Sequence, residues 1–144
     1  LGLWTGHGPV LEEDIALTNI GLDQIGQARA WLTLAGRAEN GQRDEDALAF
    51  HRDQFEFRNA QLCERPNGHF GDTIVRQFLF DAYAVPLHAA LSQSNDAEIA
   101  AIARKSAKES VYHLRHSSAW MVRFGATVKL SKSWRACSAE RVGR

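Results

Sequence analysis

Residues 70–124 read FGDTIVRQFLFDAYAVPLHAAL, then SQSND, then AEIAAIARKSAKESVYHLRHSSAWMVRF, and this stretch decides the fold. Ile74, Phe78, Ala82 and Val85 recur at helical spacing, with Leu79 and Tyr83 alongside, so the first part is a helix over about 70–91. Pro86 lies inside it. Its missing N–H and bulky ring should kink that helix or split it in two. Ser92 to Asp96 form a polar loop in which Asn95 or Asp96 caps the next helix. That helix spans about 97–124 and should bury Ile99, Ile102, Ala103, Val111, Leu114 and Trp120. Two long helices joined by so short a loop are antiparallel neighbours.

Working upstream, Arg65-Pro66-Asn67-Gly68 is a stop, because proline cannot continue a helical ladder and Asn-Gly favours a turn. Before it, Asp44 is a candidate N-cap for a helix over about 45–64 with Leu48, Phe55 and Leu62 on its core face. Arg37 to Arg43, with Asn40-Gly41, form a polar loop. The first helix starts at Pro9, where a missing N–H costs nothing, and Glu12, Glu13 and Asp14 complement its dipole. Leu11, Ile15, Leu22, Ile25 and Leu32 form its apolar line, and Gly36 is its expected C-terminal cap. Gly21 and Gly26 lie inside it at a cost of about 1 kcal/mol each relative to alanine, which close packing of another helix there would explain. Nothing reads as a strand. The expected fold is all-α, an antiparallel four-helix bundle over residues 1–125.

Residues 126–144 form a basic tail without a clear amphipathic period, where no core helix is expected. The tail reads as foreign to the fold, by truncation after the fourth helix or by a change of reading frame; burial of Trp134 would count against that.

The chain has 144 residues, 44% of them apolar and 24% charged, which suits one globular domain with a real core. At this length a large enzyme carrying its own reductase module is not expected. Cys63 and Cys137 are widely separated, which argues against a disulfide scaffold or a thiolate zinc site and for a reducing, cytoplasmic setting. The opening Leu-Gly-Leu-Trp-Thr-Gly-His-Gly-Pro is no signal peptide, and without an initiating Met the chain is expected to begin inside a longer one. No apolar run approaches the ~20 residues of a membrane span. Zero net charge weighs against a nucleic-acid binder. The zero conceals an asymmetry: residues 1–100 carry 7 Lys+Arg against 15 Asp+Glu, and residues 101–144 carry 10 against 2. Such a split suits either compensation between neighbouring helices or an acidic partner.

A four-helix bundle raises the question of a di-iron carboxylate site, which takes one carboxylate from each of two helices and a Glu-x-x-His pair from each of the other two. Here the candidates are Asp23, Glu56 with Asn59 at i+3, Asp81, and Glu109 with Tyr112 at i+3 and His113 at i+4. The sequence contains no Glu-x-x-His, so both imidazoles are missing at the required spacing and no metal site is expected. These residues then form either a solvated surface or a polar layer paired with Arg29, Arg58, Arg76, His113 or Arg115. Cys63 lacks an evident catalytic base, His7 sits in a loop, and no phosphate loop, G-x-S-x-G or H-E-x-x-H is present. Arg104, Lys105, Lys108, Arg115 and His116 make one basic helix, a candidate contact for an acidic partner or a phosphorylated, CoA-type ligand.

Several longer strings carry a resemblance. They include residues 6–17 (GHGPVLEEDIAL), Ile25 to Arg29, Arg43 to Asp46, Phe55 to Asn59, Glu64 to Gly68, Arg76 to Tyr83, and Tyr112 to Ser117. In collinear order over about residues 5–125 the chain resembles the ferritin-like, PaaC-type family of bacterial phenylacetyl-CoA epoxidases (phenylacetate-CoA oxygenases), multicomponent monooxygenases of phenylacetate catabolism. The resemblance implies a ferritin-like fold and no cofactor in this chain. It also implies a related catalytic A subunit that holds the di-iron site and binds phenylacetyl-CoA, and a separate flavin and iron–sulfur reductase. On this reading the chain is a structural partner in a hetero-oligomer, or a homodimer when alone, and the complex epoxidises the aromatic ring. Family members continue with further helices beyond the point matching Gly125. An autonomous di-iron oxidase using Asp23, Glu56, Asp81, Glu109 and His113, and a binding module for a CoA-type ligand, are the alternatives.

Overall fold

The computed structural model of the chain describes residues 1–39 and 41–142, with side-chain surroundings through Ala126. Helix α1 is Leu11–Ala38, α2 Glu45–Phe50, α3 Gln61–Glu64, α4 Phe70–Leu91 and α5 Ala97–Val142, with 3-10 turns at Gly2–Trp4 and Gln54–Glu56. No strand occurs among the described residues. The fold is the all-α, ferritin-like bundle read from the sequence, with α5 as its central helix. Bonds from His88 to Ser110 and from Asp81 to Ser117 set α4 antiparallel to α5. Bonds from Glu13 to His116 and from Gln27 to Glu109 set α1 antiparallel to α5 as well.

Several expectations are corrected. The helix expected over 45–64 breaks into α2, the Gln54–Glu56 turn and α3. Asp44 does cap α2, its carboxylate accepting from the Ala47 N–H at 2.7 Å. Asp53, though, turns extended and starts a capping box of its own with Glu56, so the backbone leaves the helix instead of crossing it. Leu48 is buried as expected, but Phe55 is 87% exposed. Pro86 does not split α4. The helix runs unbroken from Phe70 to Leu91 with Pro86 inside it. Gly36 does not cap α1, which runs on to Ala38; it is buried where the carbonyl of Arg43 crosses so close that any side chain would collide.

Most of the apolar line expected on α1 faces outward: Leu11, Ile15, Leu22 and Ile25 are all more than half exposed and Leu32 is half-buried, while the buried side chains are Leu17 and Ile20. Close packing of another helix explains neither Gly21 nor Gly26: a side chain at Gly21 would meet only Leu1 Cβ, at 3.7 Å, and one at Gly26 would meet nothing within 4 Å. On α5, Val111 is exposed as well. That helix continues through residues 126–142, where the sequence showed no period. Trp134 lies outside the residues with described side chains.

An aromatic cluster closes one end of the bundle. The rings of Trp4 and Phe70 meet edge to face at 5.8 Å, and those of Phe70 and Trp120 at 5.0 Å. The Trp4 indole N–H donates to Thr73 Oγ1 at 2.9 Å, which ties the N-terminal segment to α4.

Candidate functional site

The seam between α4 and α5 is built of small and polar side chains. On α5 the buried positions are Ala100, Ala103, Ser106, Ser110, His113 and Ser117. Their three- and four-residue steps trace one helix face. Facing them, α4 buries Thr73, Ile74, Gln77, Asp81, Ala84 and His88. Small residues let the two backbones approach closely, and each buried polar group then needs a partner within the seam.

Asp81 stands at its centre, 1% exposed. Gln77 Nε2 donates to its Oδ1 at 2.6 Å and Ser117 Oγ to its Oδ2 at 2.8 Å. Burial holds its carboxyl above the ordinary range, while these two hydrogen bonds and the nearby His113 and His116 pull the other way. Above it, His88 Nδ1 meets Ser110 Oγ at 2.9 Å, and burial lowers the pKa of this imidazole against the pull of Glu109. On the α1 side of α5, His113 Nε2 lies 3.0 Å from Asp23 Oδ2 and His116 Nε2 2.8 Å from Glu13 Oε2. A carboxylate only accepts, so both Nε2 atoms carry the proton. Gln27 Nε2 donates to Glu109 Oε2 at 2.8 Å and completes the row.

Of the candidate metal-site residues, Asp23 and His113 bond to each other across α1 and α5, while Glu109 bonds to Gln27 and Asp81 to Gln77 and Ser117. Glu56 and Asn59 do not join them. Glu56 is exposed in the capping turn, 3.4 Å from Arg43, and Asn59 is exposed beyond it. Among the described residues, no three His, Cys, Asp or Glu side chains gather to hold a metal ion. The residues present do not fit a di-iron centre: Asp81 is engaged by neutral donors on both oxygens, and Glu109 is held by an amide. The arginines expected to neutralise the layer lie elsewhere. Arg29 pairs with Glu45, and Arg76 binds the Arg65 carbonyl and Asn67. Arg58 is exposed. Of the expected partners only His113 takes its place, against Asp23.

Arg104, Lys105, Lys108 and Arg115 are exposed along α5, with Arg115 lying over the Tyr112 ring. His116 is largely buried against Glu13 and is not part of that exposed basic row. Sequence reasoning missed Gln27, Gln77, Ser110 and Ser117. The signal that could have found them is the 3/4 spacing of small and polar residues on α5, which a search for large apolar side chains passes over. Among the described residues no helix is long and apolar enough to cross a membrane.

A family model described as phenylacetic acid catabolic protein matches residues 1–136. The chain belongs to that family. Its match runs past Gly125, so the start of the tail is family sequence and not foreign to it. Within the family, the chain is 52% identical over 125 residues to the C subunit of the 1,2-phenylacetyl-CoA epoxidase of Escherichia coli K12, an alignment that covers 87% of this chain and 50% of that protein. The chain thus spans about half the length of the curated relative it matches.

Proposed function

We propose that this chain serves as the structural, non-catalytic C subunit of a bacterial di-iron monooxygenase that epoxidises the aromatic ring of phenylacetyl-CoA. The oxidising metal would be held by a related catalytic A subunit. The observation that carries this reading is the set of polar bonds that α5 makes with α4 and α1: where a catalytic bundle needs carboxylates and imidazoles gathered around metal ions, Asp81, Asp23 and Glu109 are bonded to Gln77, Ser117, His113 and Gln27. Bonds of this kind lock helix register. The likeness to the C subunit of an epoxidase supplies the substrate class. The physical role is to present a rigid helical surface that restrains the catalytic partner.

The test loads the purified chain anaerobically with Fe(II) and measures bound iron by elemental analysis and optical spectra. It then measures co-purification with a catalytic A subunit. The expected result is no specifically bound iron together with a stable complex. About two irons per chain with a di-iron spectrum would overturn the non-catalytic reading, and failure to associate would overturn the structural role.

A further inference from the structure

Helices α1 and α5 do not meet evenly along their length. Gln27 is tied to Glu109 at 2.8 Å and Arg37 to Glu98, and beside the first of these ties a groove of about 230 Å³ opens between the helices. Its α1 wall is Gly26, Gln27 and Ala30. Its α5 wall is Ala101, Ile102, Lys105 and Ser106, positions that share one helix face. Small side chains make the gap. A Cβ on Gly26 would meet nothing within 4 Å, so nothing among the described residues requires the glycine that α1 carries there.

The polar groups at the groove are donors without acceptors. Ser106 is 2% exposed, and its hydroxyl makes no hydrogen bond among the described residues. A serine so buried ordinarily has a partner. Ser110 and Ser117 on the same helix are bonded to His88 and Asp81. Lys105 is exposed and forms no ion pair among the described residues. Gln27 spends one amide N–H on Glu109 and keeps the other. Glu109, one turn along α5 from Lys105, is engaged by Gln27 and does not line the groove.

A set of donors calls for an acceptor, and a single ammonium calls for a single negative charge. A carboxylate supplies both. The rest of the lining, Gly26, Ala30, Ala101 and Ile102, is apolar and suits a hydrocarbon body. Size sets the limit. At ~30 Å³ per water the groove holds the volume of about seven waters, enough for a short chain or a single ring and too little for a nucleotide.

We propose that the α1–α5 groove binds a small apolar monocarboxylate, its charged end held by Lys105 and Ser106 and its hydrocarbon body lying against Gly26, Ala30, Ala101 and Ile102. The site uses none of the carboxylates discussed above and no metal, so it stands independently of the structural role. An occupant that touches both helices binds only while α1 lies on α5, and so it stabilises that arrangement.

Benzoate is the probe and benzamide its uncharged counterpart, each titrated into the full 144-residue chain and followed by proton–nitrogen correlation spectra. A ligand this small in an open groove is expected to bind with a Kd of about 1 mM, with saturable shifts at the amides of residues 26–30 and 101–106. Benzamide should bind about tenfold more weakly, because it loses the charge-assisted bonds. Lys105→Met keeps the side-chain stem and should reduce benzoate to the benzamide level. Ser106→Ala should weaken benzoate several-fold while Tm holds or rises, since the hydroxyl it removes has no partner in the free chain. A serine with only a structural role would do the reverse. Gly26→Leu fills the groove and should abolish the shifts with helicity retained. The proposal is overturned by the absence of saturable shifts at these residues, by equal affinity for benzamide, or by undiminished benzoate binding in folded Lys105→Met or Gly26→Leu.

Discussion

Replacing Asp81 asks whether the seam uses this side chain as a hydrogen-bond acceptor or as a charge. Asp81→Ala removes the acceptor for Gln77 Nε2 and for one of the bonds made by Ser117. Hydrogen bonds to a charged acceptor contribute about 1.5–3 kcal/mol each, and the orphaned Gln77 amide adds a desolvation cost of its own. Relief of the buried carboxylate offsets part of that sum. The net expected loss is about 3 kcal/mol, which lowers Tm by roughly 10 °C in a chain of this size. Asp81→Asn keeps the shape. Its Oδ1 still accepts from Gln77, and its amide can donate to Ser117 Oγ, whose own proton goes to the His113 carbonyl 3.1 Å away. Its expected loss at pH 7 is within about 1 kcal/mol.

The pH dependence supplies an independent sign. Burial raises the Asp81 pKa in the fold, so the unfolded chain ionises first. Wild-type stability carries the full contribution below the unfolded value near ~3.9 and loses it as pH rises through the raised folded value. Asp81→Asn lacks that decline. The assay is thermal unfolding followed by circular dichroism at a series of pH values from acid to neutral. If Asp81→Asn falls as far as Asp81→Ala, the fold requires the charge and the reasoning fails. If Asp81→Ala matches wild type, the seam does not depend on this residue.

Other perturbations reach different parts of the argument. The buried His88 imidazole has a lowered pKa, so stability is lost as pH falls below the ordinary histidine value near ~6.5. His88→Gln should flatten the Tm-versus-pH curve over that window; an unchanged curve refutes the assignment. Ala103→Leu forces a large side chain into a fully buried position on α5 and should cost about 1–3 kcal/mol in guanidinium unfolding. Neutral behaviour would mean that α4 and α5 are not closely packed there. Gly68 has φ +61° and sits against the Asp72 carboxylate. Gly68→Ala should therefore destabilise by about 1–2 kcal/mol, measured the same way. A double-mutant cycle of Asp23→Asn and His113→Gln should yield a coupling energy of about 1 kcal/mol, and none would show that α1 is held to α5 by other contacts.

The sequence by itself determined the helical class, the starts of α2 and α4, the short turn between α4 and α5, and the absence of a Glu-x-x-His pair, whereas α1, expected from Pro9, begins at Leu11. All of these depend on nearest neighbours: a capping Asp, a Pro-Asn-Gly stop, or the offset between two side chains on one helix. It also grouped Asp23, Asp81, Glu109 and His113 with Glu56 and Asn59, and of these six only Asp23 and His113 bond to each other in the fold. The tertiary structure alone decided which face of α1 turns inward. Its Leu/Ile row and its Glu13–Leu17–Ile20 row are both helical stripes, and only the polar groups offered by α5 choose between them. The same holds for the breakdown of the helix expected over 45–64. Asp53 and Glu56 satisfy each other's backbone there, and no large neighbouring face rewards the longer helix. It holds too for the seam, where small and polar residues become a core once two backbones are close enough for Gln77, Ser110 and Ser117 to bond across or along it.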